Sequence, residues 1–445
     1  MYRKAEKKIQ EWIDHSKKAL LIHGARQVGK TYLIREMLKR NEIDYCEYNL
    51  LERTDVLDYL NKETDAREIS KRLAMYSDKP LTEGKSVIFL DEIQKYPDIL
   101  TKIKFLVDEK RFRYVLSGSN LGVELAGIRS IPVGYADIWQ MYPMTFSEFA
   151  LASGISEMMI DHMKDSFKEE APLDGIVHEK LIKAFYYYLI VGGMPAVVNV
   201  FNETHNLESI DREQKSIINQ LKADFIKYEE KNKRLKIIAV YDTIPAQLNK
   251  QNRKFVFKLL DKELKFDRYE ESFLWLKDAA VAIPAYTVSN PVSPLEMSRE
   301  TNVFKLYLGD VGLLTSCFPM SVKRELMDMN PDRDINNGSL FENYVAQELY
   351  AGGSNLFYYK KRSVGEVDFM IEGETGPIPI EVKSGAGYKR HAALDNLMRE
   401  NGFEKCIVLS LNNTEKTERT TYLPIYMSEL LAVRTYDGET EMKPL

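Results

Sequence analysis

Short apolar runs alternate with helical repeats through the first third of the chain. Ala19-Leu20-Leu21-Ile22 reads as a buried strand, and Tyr32-Leu33-Ile34-Arg35-Glu36-Met37-Leu38 opens a helix. Residues 86–90 make a second apolar run, and Tyr114-Val115-Leu116 a third. Runs this continuous fit parallel strands buried on both faces, with the intervening helices as their covers. At residues 142–149, Pro143 breaks the strand pattern, and Thr145 and Ser147 offer a cap for the next helix; the unit is expected to close at about residue 154.

From 155 to 235 the pattern is helical and highly charged, with Ile217, Ile218, Leu221 and Phe225 at helix spacing. Gly192-Gly193-Met194-Pro195 marks a tight corner between helices. The segment 236–326 differs again: a helix starts at Ile237, Phe255-Val256-Phe257 is a short element, and a further helix runs from Tyr269 to near Ala279. Two β-type runs follow, Val281-Ala282-Ile283 and residues 303–308, joined by a proline-containing loop at 290–294. Helices followed by a two-stranded wing is the winged-helix order. Residues 327–337 read as a polar linker, and in 336–445 a helix at 340–349 precedes alternating strands. The expected fold class is α/β and multidomain, with four domains at 1–154, 155–235, 236–326 and 336–445.

At 445 residues the chain is too long for one hydrophobic core, which agrees with several domains. It is 44% apolar and 29% charged, with a mean hydropathy of −0.35, as in a soluble globular protein. A net charge of −5 excludes a global basic field, so any nucleic-acid contact must use local patches. Lys250, Arg253, Lys254 and Lys258 make one such run, for which a solvated face is the favoured reading. Cys46, Cys317 and Cys406 are far apart and odd in number, which argues against a disulfide framework or a cysteine zinc site and fits a reducing cytoplasm. The longest apolar stretch, 185–201, is interrupted by Gly192, Gly193 and Pro195, so no membrane span is expected.

Against this background Gly24-Ala25-Arg26-Gln27-Val28-Gly29-Lys30-Thr31 fits G-x-x-x-x-G-K-[ST] at every fixed position, between a strand and a helix. Glycines let backbone N–H groups turn inward around phosphates, and the helix points its positive end at them. Lys30 is expected to reach the β- and γ-phosphates of ATP, and Thr31 to offer its hydroxyl to Mg²⁺. The run at 86–90 ends in Asp91 and Glu92, where α/β sheets place ligands. Asp91 is suited to hold Mg²⁺ through water, and Glu92 to polarise the attacking water. The third strand ends in Ser117-Gly118-Ser119-Asn120, whose polar tip, Ser119 in particular, is a candidate contact for the γ-phosphate.

A second constellation lies near the C-terminus. Gly365-Glu366-Val367-Asp368-Phe369-Met370-Ile371 and Ile378-Pro379-Ile380-Glu381-Val382-Lys383 read as neighbouring hairpin strands that bring Asp368 beside Glu381. Glu381 and Lys383 are two apart and leave one face of their strand. Two carboxylates and a lysine suit Mg²⁺-dependent phosphodiester hydrolysis, and Glu342, in the preceding helix, is the candidate third carboxylate. An exposed Glu381–Lys383 ion pair is the plainer alternative.

Together with 88–94, 116–119, 142–149, 192–195 and 307–314, these two motifs resemble, over essentially the full length, prokaryotic AAA-type ATPases with a C-terminal restriction-endonuclease-like, PD-(D/E)XK domain. The resemblance implies a P-loop core that binds and hydrolyses ATP with Mg²⁺, a helical lid, a winged-helix insert, and a nuclease-like module whose acidic and lysine positions match Asp368, Glu381 and Lys383. DNA is the partner it implies, with RNA open, and monomer and homo-oligomer both remain open. One departure is visible: the usual Leu-x-Gly-Arg segment reads Leu125-Ala126-Gly127-Ile128-Arg129, with the arginine displaced by one. Arg129 is therefore a looser candidate for the γ-phosphate. The leading expectation is an ATPase controlling a Mg²⁺-dependent nuclease; the alternative is an ATP-dependent switch whose C-terminal domain grips DNA or protein without cutting.

Overall fold

The computed structural model describes residues 1–119, 134–228, 231–250, 255, 269–329 and 337–433. Asn120, residues 125–129 with Arg129, and Arg253, Lys254 and Lys258 lie outside the described residues. The chain divides into two compact units, one of Met1–Pro143 with Leu274–Val281, the other of Met144–Phe273 with Ala282–Leu445.

The first unit is built on a parallel sheet ordered β2-β3-β4-β1-β5, from β1 (Ala19–His23), β2 (Tyr45–Asn49), β3 (Val87–Asp91), β4 (Arg113–Gly118) and β5 (Ala136–Gln140). The three inner strands are the apolar runs that the sequence marks, and β3 is buried at every position. Leu21, Ile88, Leu90 and Leu116 pack with Ile103 and Leu106 of the helix Ile99–Glu109. The two edge strands carry no continuous apolar run. Along β2 buried and half-buried residues alternate, as expected where one face meets solvent.

In the second unit an eight-stranded sheet runs β12-β13-β11-β10-β9-β8-β6-β7. Its strands are β6 (Ala282–Val288), β7 (Arg299–Leu308), β8 (Leu356–Lys361), β9 (Gly365–Gly373), β10 (Gly376–Val382), β11 (Cys406–Ser410), β12 (Glu415–Lys416) and β13 (Thr420–Pro424). This corrects the expected wing. The hairpin β6–β7 forms, but β6 also pairs in parallel with β8, from Ala285↔Leu356 to Val288↔Tyr359. In place of a free two-stranded hairpin, β6 has both edges paired and is buried at Ala282, Ile283 and Ala285. The described strands on either side of residues 327–337 therefore belong to one sheet. The buried helix Asn337–Ala351 stitches the same join: Asn343 accepts from the Leu308 N–H at 2.8 Å, and Gln347 from the Val311 N–H at 2.8 Å.

The corner at 192–195 has its partner in this unit. A Cβ at Gly193 would sit 2.1 Å from the Met144 carbonyl oxygen, which only glycine permits. Asp310 accepts from the Gly193 N–H at 2.7 Å and from the Leu313 N–H at 3.0 Å. Burial lifts the Asp310 carboxyl to about 6, against these backbone donors. The folded chain thus binds this proton more tightly than the unfolded chain. Its contribution is complete below about pH 4 and fades as pH rises through about 6, a change of about 3 kcal/mol. In Asp310→Asn the guanidinium unfolding midpoint should lose this dependence between pH 4 and 7, and drop overall, because the amide presents N–H to N–H. An unchanged pH slope would count against this reading of Asp310.

The apolar stretch 185–201 is divided between the helices Gly175–Val191 and Pro195–Thr204, bent by 118°. Among the described residues no single helix is long and apolar enough to cross a membrane.

Candidate functional site

The turn between β1 and the helix Lys30–Arg40 places Gly24, Ala25, Arg26, Gln27, Val28 and Gly29 ahead of that helix's N-terminus. Gly29 caps it with φ at 95°, a left-handed geometry that costs glycine little. The first-turn N–H groups of such a helix have no partner within it, and they favour an anion. Lys30 is buried, and its ammonium donates to the carbonyls of Gly24 at 3.0 Å and Ala25 at 2.8 Å. Burial lowers this ammonium to about 8, with Glu92 and Asp91 acting in the opposite direction. A cation held in a dry turn by two neutral oxygens is matched to an anionic ligand.

The tips of β3 and β4 complete the site. Asp91 Oδ2 accepts from the Thr31 hydroxyl at 2.9 Å, and Oδ1 accepts from Ser117. A hydroxyl and a carboxylate in contact are the hard oxygen donors that Mg²⁺ takes, so Thr31 and Asp91 fit the ion. Glu92 follows in left-handed geometry, φ 59°. Its Oε2 accepts from Gln94 and, at 3.4 Å, from Ser119, while Gln94 also donates to Ser119 at 3.2 Å. The structure thus brings together Lys30, Thr31, Asp91, Glu92 and Ser119, all expected from the sequence.

Three further residues of this site carry weaker signals. Gln94 sits two residues after Glu92 and Ser117 two before Ser119, so both were within reach of a motif reading. Arg3 was not. Its guanidinium donates to the Val28 carbonyl at 2.9 Å and the Tyr142 carbonyl at 2.7 Å, tying the start of the chain to the phosphate-binding turn. In sequence Arg3 is one charge among several in an amphipathic segment.

At the C-terminal cluster the hairpin β9–β10 forms in the expected register, Ile380 opposite Phe369. Asp368 Oδ2 accepts from the Val382 N–H at 2.9 Å, and Lys383 pairs with Glu381 Oε1 at 2.7 Å. Glu381 is buried, and its Oε2 has no hydrogen-bond partner. Burial raises its carboxyl to about 7, with Asp368 pushing the same way. Glu342 is also buried but is engaged elsewhere: its Oε2 accepts from Tyr307 at 3.1 Å and lies 3.6 Å from Lys305 Nζ.

Lys305 was not anticipated. Fully buried on β7, it stands 2.9 Å from Glu366 Oε1 and 4.0 Å from Asp368 Oδ1. This bears directly on the expected metal ligands Glu342, Asp368 and Glu381. Among the described residues no group of three or more Asp, Glu, His or Cys side chains is placed to hold a metal ion. Lys305 sets a positive charge 3.6 Å from Glu342 Oε2 and 4.0 Å from Asp368 Oδ1, so it already supplies a countercharge to two of the three expected ligands. Thr31 and Asp91 of the phosphate turn thus offer the oxygen donors of a Mg²⁺ site, whereas Glu342, Asp368 and Glu381 are not grouped as a three-ligand set, and Lys305 stands beside two of them.

Comparison with known proteins adds the family. Residues 16–150 match the model described as AAA domain, residues 182–324 a domain of unknown function (DUF8612), and residues 337–427 another (DUF4143). No curated protein matches the chain. Similar solved structures include a Walker-type ATPase of Pyrococcus abyssi, at 13% identity and TM-score 0.41, covering 71% of this chain and 94% of that one. Cdc6p from Pyrobaculum aerophilum shows 12% identity and TM-score 0.28, covering 74% and 95%. AMPPCP-bound DnaA from Aquifex aeolicus shows 13% identity and TM-score 0.29, covering 61% and 82%. The family model agrees with the loop, the parallel sheet and the acidic strand end, and on that footing residues 16–150 are an AAA-type P-loop ATPase domain.

Proposed function

We propose that the protein is an ATP-hydrolysing switch in which nucleotide state governs the grip of the C-terminal sheet on a partner. The observation that carries the ATPase half is the meeting of Lys30 with Thr31, Asp91 and Glu92 at one strand-to-helix turn. Lys30 would pair with the phosphates of ATP, and Thr31 and Asp91 would hold Mg²⁺, which would supply charge neutralisation at those phosphates. Glu92 then orients the attacking water. Gln94 and Ser119 hold its carboxylate in place.

For the C-terminal half, the buried Lys305 favours gripping over cutting. DNA is the partner class, from the resemblance to restriction-endonuclease-like domains, and RNA is the alternative. The nuclease reading retains one supporting observation, the contact of Glu381 with Lys383 beside Asp368. Plasmid, linear DNA and RNA incubated with the protein and Mg²⁺ or Mn²⁺, with and without ATP, separate the two. The expected result is ATP-modulated retention of nucleic acid with no cleavage. Cleavage abolished by Asp368→Ala would restore the nuclease instead.

A further inference from the structure

The C-terminal cluster compensates most, though not all, of its own charge, and Glu381 Oε2 is left without a partner. Four carboxylates, Glu342, Glu366, Asp368 and Glu381, face three ammoniums, Lys305, Lys360 and Lys383. Glu366 is matched at both oxygens, by Lys305 at 2.9 Å and Lys360 at 2.6 Å. Burial would raise its carboxyl, but Lys305 and Lys360 outweigh that and hold it below the ordinary value. Asp368 is shared between Lys305 and the Val382 N–H, and Glu342 between Lys305 and the Tyr307 hydroxyl. The ring of Tyr358, 5.1 Å away, adds a further contact for the Lys305 cation.

We infer that Lys305 is the resident cation of this cluster, standing beside Asp368 and Glu342, two of the three carboxylates expected to hold a divalent metal. The inference rests on the reading of the C-terminal domain as a module that grips without cutting, and it gives that reading a cause. An ammonium balances buried carboxylates, but it offers no open coordination position and cannot lower the pKa of a bound water as a metal does. Lys305 comes from β7, far upstream of the hairpin that bears Asp368 and Glu381. The same side chain therefore supplies the cluster's central positive charge and ties the β6–β7 hairpin to the helix Asn337–Ala351 and to β9. Removing one member of a buried ion cluster leaves the others uncompensated, and carboxylates freed in this way are the oxygen donors that a divalent ion takes.

The test uses nucleotide-free, full-length protein and Mn²⁺, followed by the loss of the free-ion paramagnetic resonance signal and by calorimetry. Wild type should take up no Mn²⁺ that depends on Asp368. Lys305→Met and Lys305→Ala should each gain about one ion per chain, at least about tenfold tighter than wild type. Adding Asp368→Asn should abolish the gain. A folded Lys305 variant that gains nothing overturns the inference, as does Asp368-dependent Mn²⁺ uptake by wild type. Should neither variant fold by circular dichroism, wild type and Asp368→Asn decide alone: equal uptake supports the resident ammonium, and lower uptake in Asp368→Asn overturns it. Cleavage and ATP binding are read separately on the same wild-type protein, so failure of the proposed switch is distinguishable from failure at Lys305.

Discussion

Lys30→Ala is expected to abolish ATP binding measured by titration calorimetry with Mg²⁺, with affinity falling at least about 100-fold, about 3 kcal/mol. The ammonium is buried in the turn, so a phosphate meets it in a dry site where charge pairing is strong. The methyl of alanine can replace neither the charge nor the reach. The fold should survive, because Lys30 pairs with two neutral carbonyls and burial already opposes its charge. Thermal unfolding of the free variant near the wild-type midpoint, together with a flat calorimetric trace, is the expected pair of results. ATP affinity close to wild type in a folded Lys30→Ala protein would remove this turn as the nucleotide site.

Glu92→Gln should behave in the opposite way, binding ATP normally while steady-state turnover falls about 10²- to 10⁴-fold, the range for loss of a general base. The amide can still accept from Gln94 and Ser119, so the tip of β3 should keep its shape. It cannot draw a proton from water. Asp91, which holds the Thr31 hydroxyl, is untouched, so nucleotide affinity should stay within a few-fold of wild type. Phosphate release followed under saturating ATP, beside the calorimetric Kd, separates the two quantities. Wild-type turnover by Glu92→Gln would assign the water to another residue.

These two expectations divide the nucleotide site as its residues are divided along the chain. Binding depends on a contiguous turn, and hydrolysis on the end of β3. Both were legible because each motif is local: eight consecutive residues for the turn, and an apolar run ending in two acids for the strand. The edge strands β2 and β5 were not legible. One face of an edge strand meets solvent, and the apolar continuity that marks a buried strand is lost. Arg3 was hidden for a related reason. Its partners are main-chain carbonyls of Val28 and Tyr142, and a carbonyl leaves no mark in the residue type that carries it.

The C-terminal half shows the same division more sharply. The hairpin that sets Asp368 beside Glu381 followed from alternation and a turn, and so did the contact of Glu381 with Lys383. The joining of β6–β7 to β8 did not, because strand pairing across a long connection is chosen by which edges are free and which faces need covering. The sequence by itself determined the phosphate turn, the acidic strand end and the carboxylate hairpin, since backbone geometry and short spacing are enough to specify each. Tertiary structure alone decided that the expected wing belongs to the larger sheet, and that Lys305 lies among Glu342, Glu366 and Asp368. Burying a charge is favourable only where opposite charges are assembled around it, and these come from two segments, the helix Asn337–Ala351 and β9, both distant in sequence from Lys305.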